Sequence, residues 1–138
     1  MLILRTFEAI ISGAASSSKA AFFLEHPEDL GVNKHGYKQA SIWNDPRMQH
    51  LLEKEGVQYG AFFQCSFGVA WAGPTRVITT LPRSERLRWK TGPPQIDTDG
   101  RYMGPLDAWC GHRHKPLLGK ASDGSFLTAQ KASYPPLL

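Results

Sequence analysis

Apolar positions fall in short runs separated by polar turns, and the sharpest boundary lies where Ala20-Ala21-Phe22-Phe23-Leu24 stops at Glu25-His26-Pro27-Glu28-Asp29. Five uncharged residues predict a buried strand over 20–25, and Pro27, which has no ladder donor, predicts that pairing ends near it. Glu25 is thereby expected at the carboxyl end of a strand, the end at which open α/β sheets bind ligands. Upstream, Ile3, Leu4, Phe7, Ile10 and Ile11 recur at helical spacing and predict an amphipathic helix over 3–12, closed by Ser12-Gly13. Helix followed by buried strand is half of a βαβ unit.

Asp45 followed by Pro46 is a helix start, with a capping carboxylate and a proline at the first helical position. Met48, Leu51 and Leu52 give that helix an apolar face, so it is expected over about 45–55, with Gly56 as its stop. Val57 to Cys65 is rich in strand formers, and Thr75 to Leu81 is rich in β-branched residues and halted by Pro82. Two such runs joined by about nine residues predict an antiparallel pair. From Arg83 onward periodicity fades into a tail punctuated by glycine and proline. The chain thus divides into a partial α/β core over 1–82 and a loop-rich basic segment over 83–138, packed on the same domain. The aromatic residues Trp43, Phe62, Phe63, Phe67 and Trp71 are assigned to the core.

With 138 residues, 41% hydrophobic and 20% charged, the chain has a globular composition, which excludes disorder throughout. The net charge of +4 is unevenly spread: ten of the 16 Lys/Arg but only five of the 12 Asp/Glu follow residue 75. A basic half attracts polyanions or forms a solvated surface. The stretch containing Arg83, Arg86, Arg88 and Lys90 is the candidate phosphate grip, with Trp89 and Trp109 as stacking faces, and Arg113, Lys115 and Lys120 add charge further on. Arg76 either contacts a nucleic-acid backbone or pairs with an acid such as Glu25 on a neighbouring strand. Two cysteines 45 positions apart, with no signal-peptide pattern, imply a reducing, intracellular setting. No stretch approaches the roughly 20 apolar residues of a membrane span, so no membrane partner is expected.

Cys65, Cys110, His112 and His114 make a candidate tetrahedral set of two sulfur and two nitrogen ligands, with zinc the favoured ion. An extended Cys-x-His-x-His segment would spread its three ligands over about 13 Å, so the metal reading requires a curled loop. The alternative is a buried apolar cysteine and histidines in a solvated basic loop.

Three motifs in order, Leu24-Glu25-His26-Pro27, Gln64-Cys65-Ser66-Phe67-Gly68 and Pro74-Thr75-Arg76, resemble the C-terminal half of cytosine-specific (carbon-5) DNA methyltransferases. The nearer likeness is to methyltransferase-like proteins of phages and mobile elements, and Cys110-Gly111-His112-Arg113-His114 fits that group. The resemblance implies an α/β fold, a fragment of a doubly wound, mostly parallel Rossmann-like sheet with an antiparallel strand, and S-adenosylmethionine as the parent family's cofactor. It maps Glu25 onto the acid that holds a flipped cytosine, while His26 replaces the family's asparagine. Neither the family's glycine-rich cofactor loop nor its Pro-Cys nucleophile is found here. The chain is therefore expected to be a truncated or degenerate domain that does not bind the cofactor or methylate alone. It would contribute nucleic-acid contacts at most, with a partner polypeptide supplying the missing half.

Overall fold

The computed structural model describes residues 21–115 and 117–132. The helix expected over 3–12 lies outside them. Three strands form the main sheet: β1 (Phe23–Pro27), β2 (Gln58–Phe63) and β3 (Pro74–Thr79), in the order β1-β3-β2. β3 is antiparallel to both neighbours, so β1 and β2 point the same way without touching. The crossover between them carries the helix α1 (Pro46–Leu52). A hairpin of β4 (Gln95–Ile96) and β5 (Tyr102–Gly104) lies in the second half. The architecture is mixed α/β with small antiparallel sheets and one α-helix among the described residues.

The α1 start follows the sequence rule: the Asp45 side chain accepts from Arg47 N at 2.9 Å, and Pro46 occupies the first turn. The helix ends at Leu52, earlier than expected, because Glu53 to Gly56 are all exposed and bring no apolar contact to extend it.

Strand pleating sorts the side chains. Leu24, Ile78 and Tyr59 stand abreast in the ladder on the face that meets α1. Phe22, Trp43, Met48, Leu51 and Ile78 form the buried core there, with Leu24, Ile42, Leu52, Val57 and Tyr59 packed around it. The opposite face carries Glu25, Val77 and Gly60 in one row and Pro27, Thr75 and Phe62 in the next.

Trp89 covers this second face at Gly60, where a Cβ would sit 2.3 Å from the indole; only glycine admits the ring. Lys90 then bonds back to the outer edge of β2, with Lys90 N donating to Ala61 O at 2.7 Å and Ala61 N to Lys90 O at 2.9 Å. The basic segment thus caps one sheet edge, as edge strands require.

The ladder of β1 ends at Pro27, as expected, with one further bond from Glu28 N to Pro74 O at 3.0 Å. Pro27 occupies a non-hydrogen-bonded position on an edge strand, where its missing N–H is not needed. Three other expectations are corrected. Glu25 is mid-strand, opposite Val77, rather than at a strand end. β1 is also only half-buried along its length, as suits an edge strand. No two described strands pair in parallel, so the mostly parallel sheet is not seen among the described residues.

Of the two alternatives for Arg76, pairing with an acid holds, but the acid is Glu28 rather than Glu25, and the buried guanidinium is withdrawn from any nucleic acid. Arg76 is fully buried, with Nε 2.6 Å from Glu28 Oε2 and an Nη 2.8 Å from Glu28 Oε1. A second Nη donates to Gly92 O at 2.6 Å, Tyr102 donates to Glu28 Oε1 at 3.0 Å, and the guanidinium lies 5.9 Å from the Trp43 ring. Of the aromatics assigned to the core, Trp43 and Phe62 are buried, whereas Phe63 at the end of β2 and Phe67 and Trp71 on the loop beyond it are half-exposed.

Candidate metal centre and adjoining cleft

β2 ends in a tight 3-10 turn (Gln64–Phe67), and the loop it opens returns to β3 at Pro74. The loop is stitched across its base by Gln64 N to Gly73 O at 3.1 Å and Cys65 N to Ala72 O at 3.4 Å. Phe67 packs edge-on against Phe62, with centroids 5.0 Å apart. Cys65 therefore projects from a loop fixed at both ends.

The second ligand segment does curl. Gly111 has φ +85°, a left-handed value that reverses the chain between Cys110 and His112. Trp109 Nε1 closes the turn by donating to His112 O at 2.9 Å. One ligand atom from each of Cys65, Cys110, His112 and His114 lies within 4.8 Å of every other. Cys65 Sγ is 3.5 Å from His112 Nδ1, and Cys110 Sγ is 3.1 Å from His114 Nε2. Zinc–sulfur and zinc–nitrogen bonds at tetrahedral angles place such neighbours about 3.5 Å apart. These four residues are close enough to hold a metal ion.

The surroundings suit that use. His114 Nδ1 donates to Ala70 O at 2.8 Å, which fixes the tautomer and turns Nε2 toward the cysteines, the usual outer support of a metal-binding imidazole. That bond, then the Cys110 sulfur, raises the His114 pKa in the absence of metal.

The two thiols are driven apart. Burial, followed by the Cys110 sulfur beside it, pushes Cys65 up to about 11. Burial also acts upward on Cys110, but bonds from the His112 backbone and from His114, His112 and Cys65 outweigh it and bring the thiol down to about 7. One thiolate is thus available near neutrality, and a dication bound there would supply the field that ionises the second. Both cysteines are free of disulfides.

A cleft of about 610 Å³ opens on the other side of the same loop, lined among others by Glu25, His26, Asp29, Ser41, Gln64 and Thr75. Gln64 organises its floor. Its amide nitrogen donates to Thr75 Oγ1 at 2.9 Å and to Glu25 Oε1 at 3.3 Å, while its carbonyl accepts from Trp71 Nε1 at 2.9 Å. Asp29 is buried, bonded to Gly31 N at 2.9 Å and Asn44 Nδ2 at 2.5 Å. The structure therefore sets Glu25 in a polar cleft wall.

The remaining predicted residues separate. Arg83, Arg86, Arg88 and Lys90 are exposed, on or flanking a 3-10 turn (Ser84–Leu87) whose Ser84 hydroxyl bonds Gln58. Arg76 is withdrawn into the interior, and its guanidinium is occupied by Glu28. Sequence reasoning missed Glu28, Tyr102 and Gln64. For Glu28 a signal existed, since an arginine inside a β-branched strand needs a buried anion; Gln64 stood in the Gln64–Gly68 motif without being given a role, and nothing local distinguished Tyr102.

The chain matches no protein-family model, no curated protein and no solved structure with which it was compared. Among the described residues, no helix is long and apolar enough to cross a membrane.

Proposed function

We propose that this chain is a small zinc-stabilised nucleic-acid-binding module. The observation that carries the reading is the convergence of Cys65, Cys110, His112 and His114 from two segments 45 residues apart, with all four ligand atoms within 4.8 Å. Two thiolates and two imidazoles favour zinc, and their charges neutralise the dication. Four protein ligands leave no open position, so the ion's role is structural: it ties the Trp109–His114 turn to the loop between β2 and β3. The nucleic-acid part rests on charge, because Arg83, Arg86, Arg88 and Lys90 present exposed cations on a chain of net charge +4. Protein purified without chelator is expected to carry about one zinc per chain and to lose stability when the metal is stripped. Its affinity for oligonucleotides should fall steeply with salt. Metal analysis that finds no zinc in such a preparation sinks the reading.

A second reading, a degenerate cytosine-methyltransferase-like domain, draws support from the strand order. A reversed strand, β3, lies between two codirectional strands, β1 and β2, that are joined by a helical crossover. This is the local pattern expected at the edge of a parallel sheet that carries one antiparallel strand. Glu25, the residue the resemblance maps onto the base-holding acid, lines the cleft beside β3. On this reading the chain supplies nucleic-acid contacts, depends on a partner polypeptide for the cofactor half, and does not bind S-adenosylmethionine alone. Isothermal calorimetry detecting tight binding of that cofactor by the isolated chain would overturn it.

A further inference from the structure

Trp109 is 65% exposed, whereas Trp43 is buried and Trp71 and Trp89 are half-buried against the sheet and its loops. Leaving an indole in water forgoes one of the largest burial gains any side chain offers. Trp109 is nevertheless not loose: its Nε1 donates to His112 O at 2.9 Å, which fixes the ring edge and leaves its faces open. The same carbonyl is approached by Cys110 Sγ at 3.6 Å, so the indole is anchored to the turn that carries three of the four metal-ligand residues. Arg113 and Lys115, both exposed, follow within six residues, against a single acid, Asp107.

We propose that the Trp109–Lys115 turn is a platform for single-stranded nucleic acid, on which Trp109 stacks a base while Arg113 and Lys115 hold the flanking phosphates. The proposal rests on the zinc-module reading, since the metal sets the turn that holds the indole. A fixed, open aromatic face beside cations is the arrangement by which single strands are held without base-edge readout. Unpaired bases offer free faces to such a ring, whereas those of a duplex are stacked on one another. The surface therefore selects single strands over duplex and tolerates any base. Its affinity is predicted to depend on the metal.

The test is fluorescence anisotropy of the zinc-loaded full chain with labelled oligothymidine, oligouridine and a duplex of equal length, using the wild type, Trp109→Ala, Trp109→Phe and Arg113→Ala/Lys115→Ala. Loss of one stacked base predicts about 5- to 150-fold weaker single-strand binding by Trp109→Ala, compared at equal zinc content because the indole also bonds His112 O. Trp109→Phe, which keeps an aromatic face without the Nε1 anchor, should bind more tightly than Trp109→Ala. The double basic variant should lower the salt slope by up to about 1.4, roughly 0.7 for each phosphate no longer neutralised. Equal loss with oligothymidine and oligouridine means the platform reads stacking alone; loss with only one means the sugar or the thymine methyl is read as well, and both support it. Wild-type affinity in a zinc-loaded Trp109→Ala variant overturns this proposal and moves the contacts to Arg83–Lys90, while the zinc-module reading survives. A zinc-loaded wild type that binds no oligonucleotide overturns both.

Discussion

Replacing Arg76 by methionine isolates the most deeply placed charge pair in the described fold. Arg76 and Glu28 are both fully buried at the side chain, joined by two charge-assisted bonds of 2.6 and 2.8 Å. Removing the guanidinium leaves the Glu28 carboxylate buried with the Tyr102 hydroxyl as its remaining side-chain donor, and also strips Gly92 O of its partner. Breaking such a pair from one side costs about 3–5 kcal/mol. Glu28→Gln reverses the imbalance and strands the cation, with a similar cost of about 3 kcal/mol. Against a total stability of about 5–15 kcal/mol, either change takes a large share.

The double variant Arg76→Met/Glu28→Leu removes both charges together. Only the Tyr102 hydroxyl and Gly92 O then lose partners, at about 1–3 kcal/mol each. The double change should therefore cost clearly less than the sum of the singles, a coupling of several kcal/mol. Urea unfolding followed by fluorescence, with free zinc held constant, measures all four proteins. Singles within about 1 kcal/mol of wild type, or a double variant whose cost equals the sum, would refute an interior ion pair.

Three further outcomes are expected. Gly60→Ala places a Cβ 2.3 Å from the Trp89 ring and should cost about 1–3 kcal/mol in urea unfolding, with most of that cost relieved in a Trp89→Ala background; an unchanged cost there would mean Trp89 does not fill that space. In metal-free protein, Cys110 is depressed from 9.0 to about 7, so its contribution to stability is complete above pH 9 and lost as pH falls through 7. Cys65, raised to about 11, contributes oppositely, present below pH 9 and lost as pH rises through 11, and mass-mapped alkylation near pH 7.5 should label Cys110 first; preferential labelling of Cys65 contradicts this. Finally, a chelator should speed amide exchange at Gln64 and Cys65, whose N–H groups close the loop base, while β2–β3 ladder amides stay protected; equal protection with and without zinc would separate the metal from the loop.

How much of this was legible in the sequence depends on how local each cause is. α1 was readable because its cap and its first-turn proline act within a few residues, and β2 and β3 because β-branched and aromatic runs with an intervening turn specify a hairpin-like pair. The end of β1 at Pro27 was readable too, but the mid-strand place of Glu25 was not, since where the strand begins and which residues it pairs is set by register against β3. The ligand residue types of the metal centre were visible. Their convergence was not, because it depends on the reversal at Gly111 and on the loop that carries Cys65 across from β2. The buried Arg76–Glu28–Tyr102 group joins three segments up to 74 residues apart and has no periodic signature at all.

The metal centre and the cleft share a wall, and this changes what Glu25 can be. Gln64, which bonds the Glu25 carboxylate and Thr75, is the immediate neighbour of Cys65, and its carbonyl is held by Trp71, the residue after the Ala70 whose carbonyl steadies His114. Fixing Cys65 and His114 on one ion therefore fixes both ends of the segment that aims the Gln64 amide. Coupling of this kind needs no long pathway, since the shared element is one short loop with one stitched base. An acid whose position depends on a loop 39 residues away in sequence is not a solvated turn residue. In the methyltransferase-like reading the loop replaces, on Glu25, the support that an asparagine at position 26 would have given. In the zinc-module reading it makes the cleft a second surface whose shape the metal controls. Either way, an ion held by Cys65 and His114 would act past the turn it closes, through Gln64, on the Glu25 carboxylate.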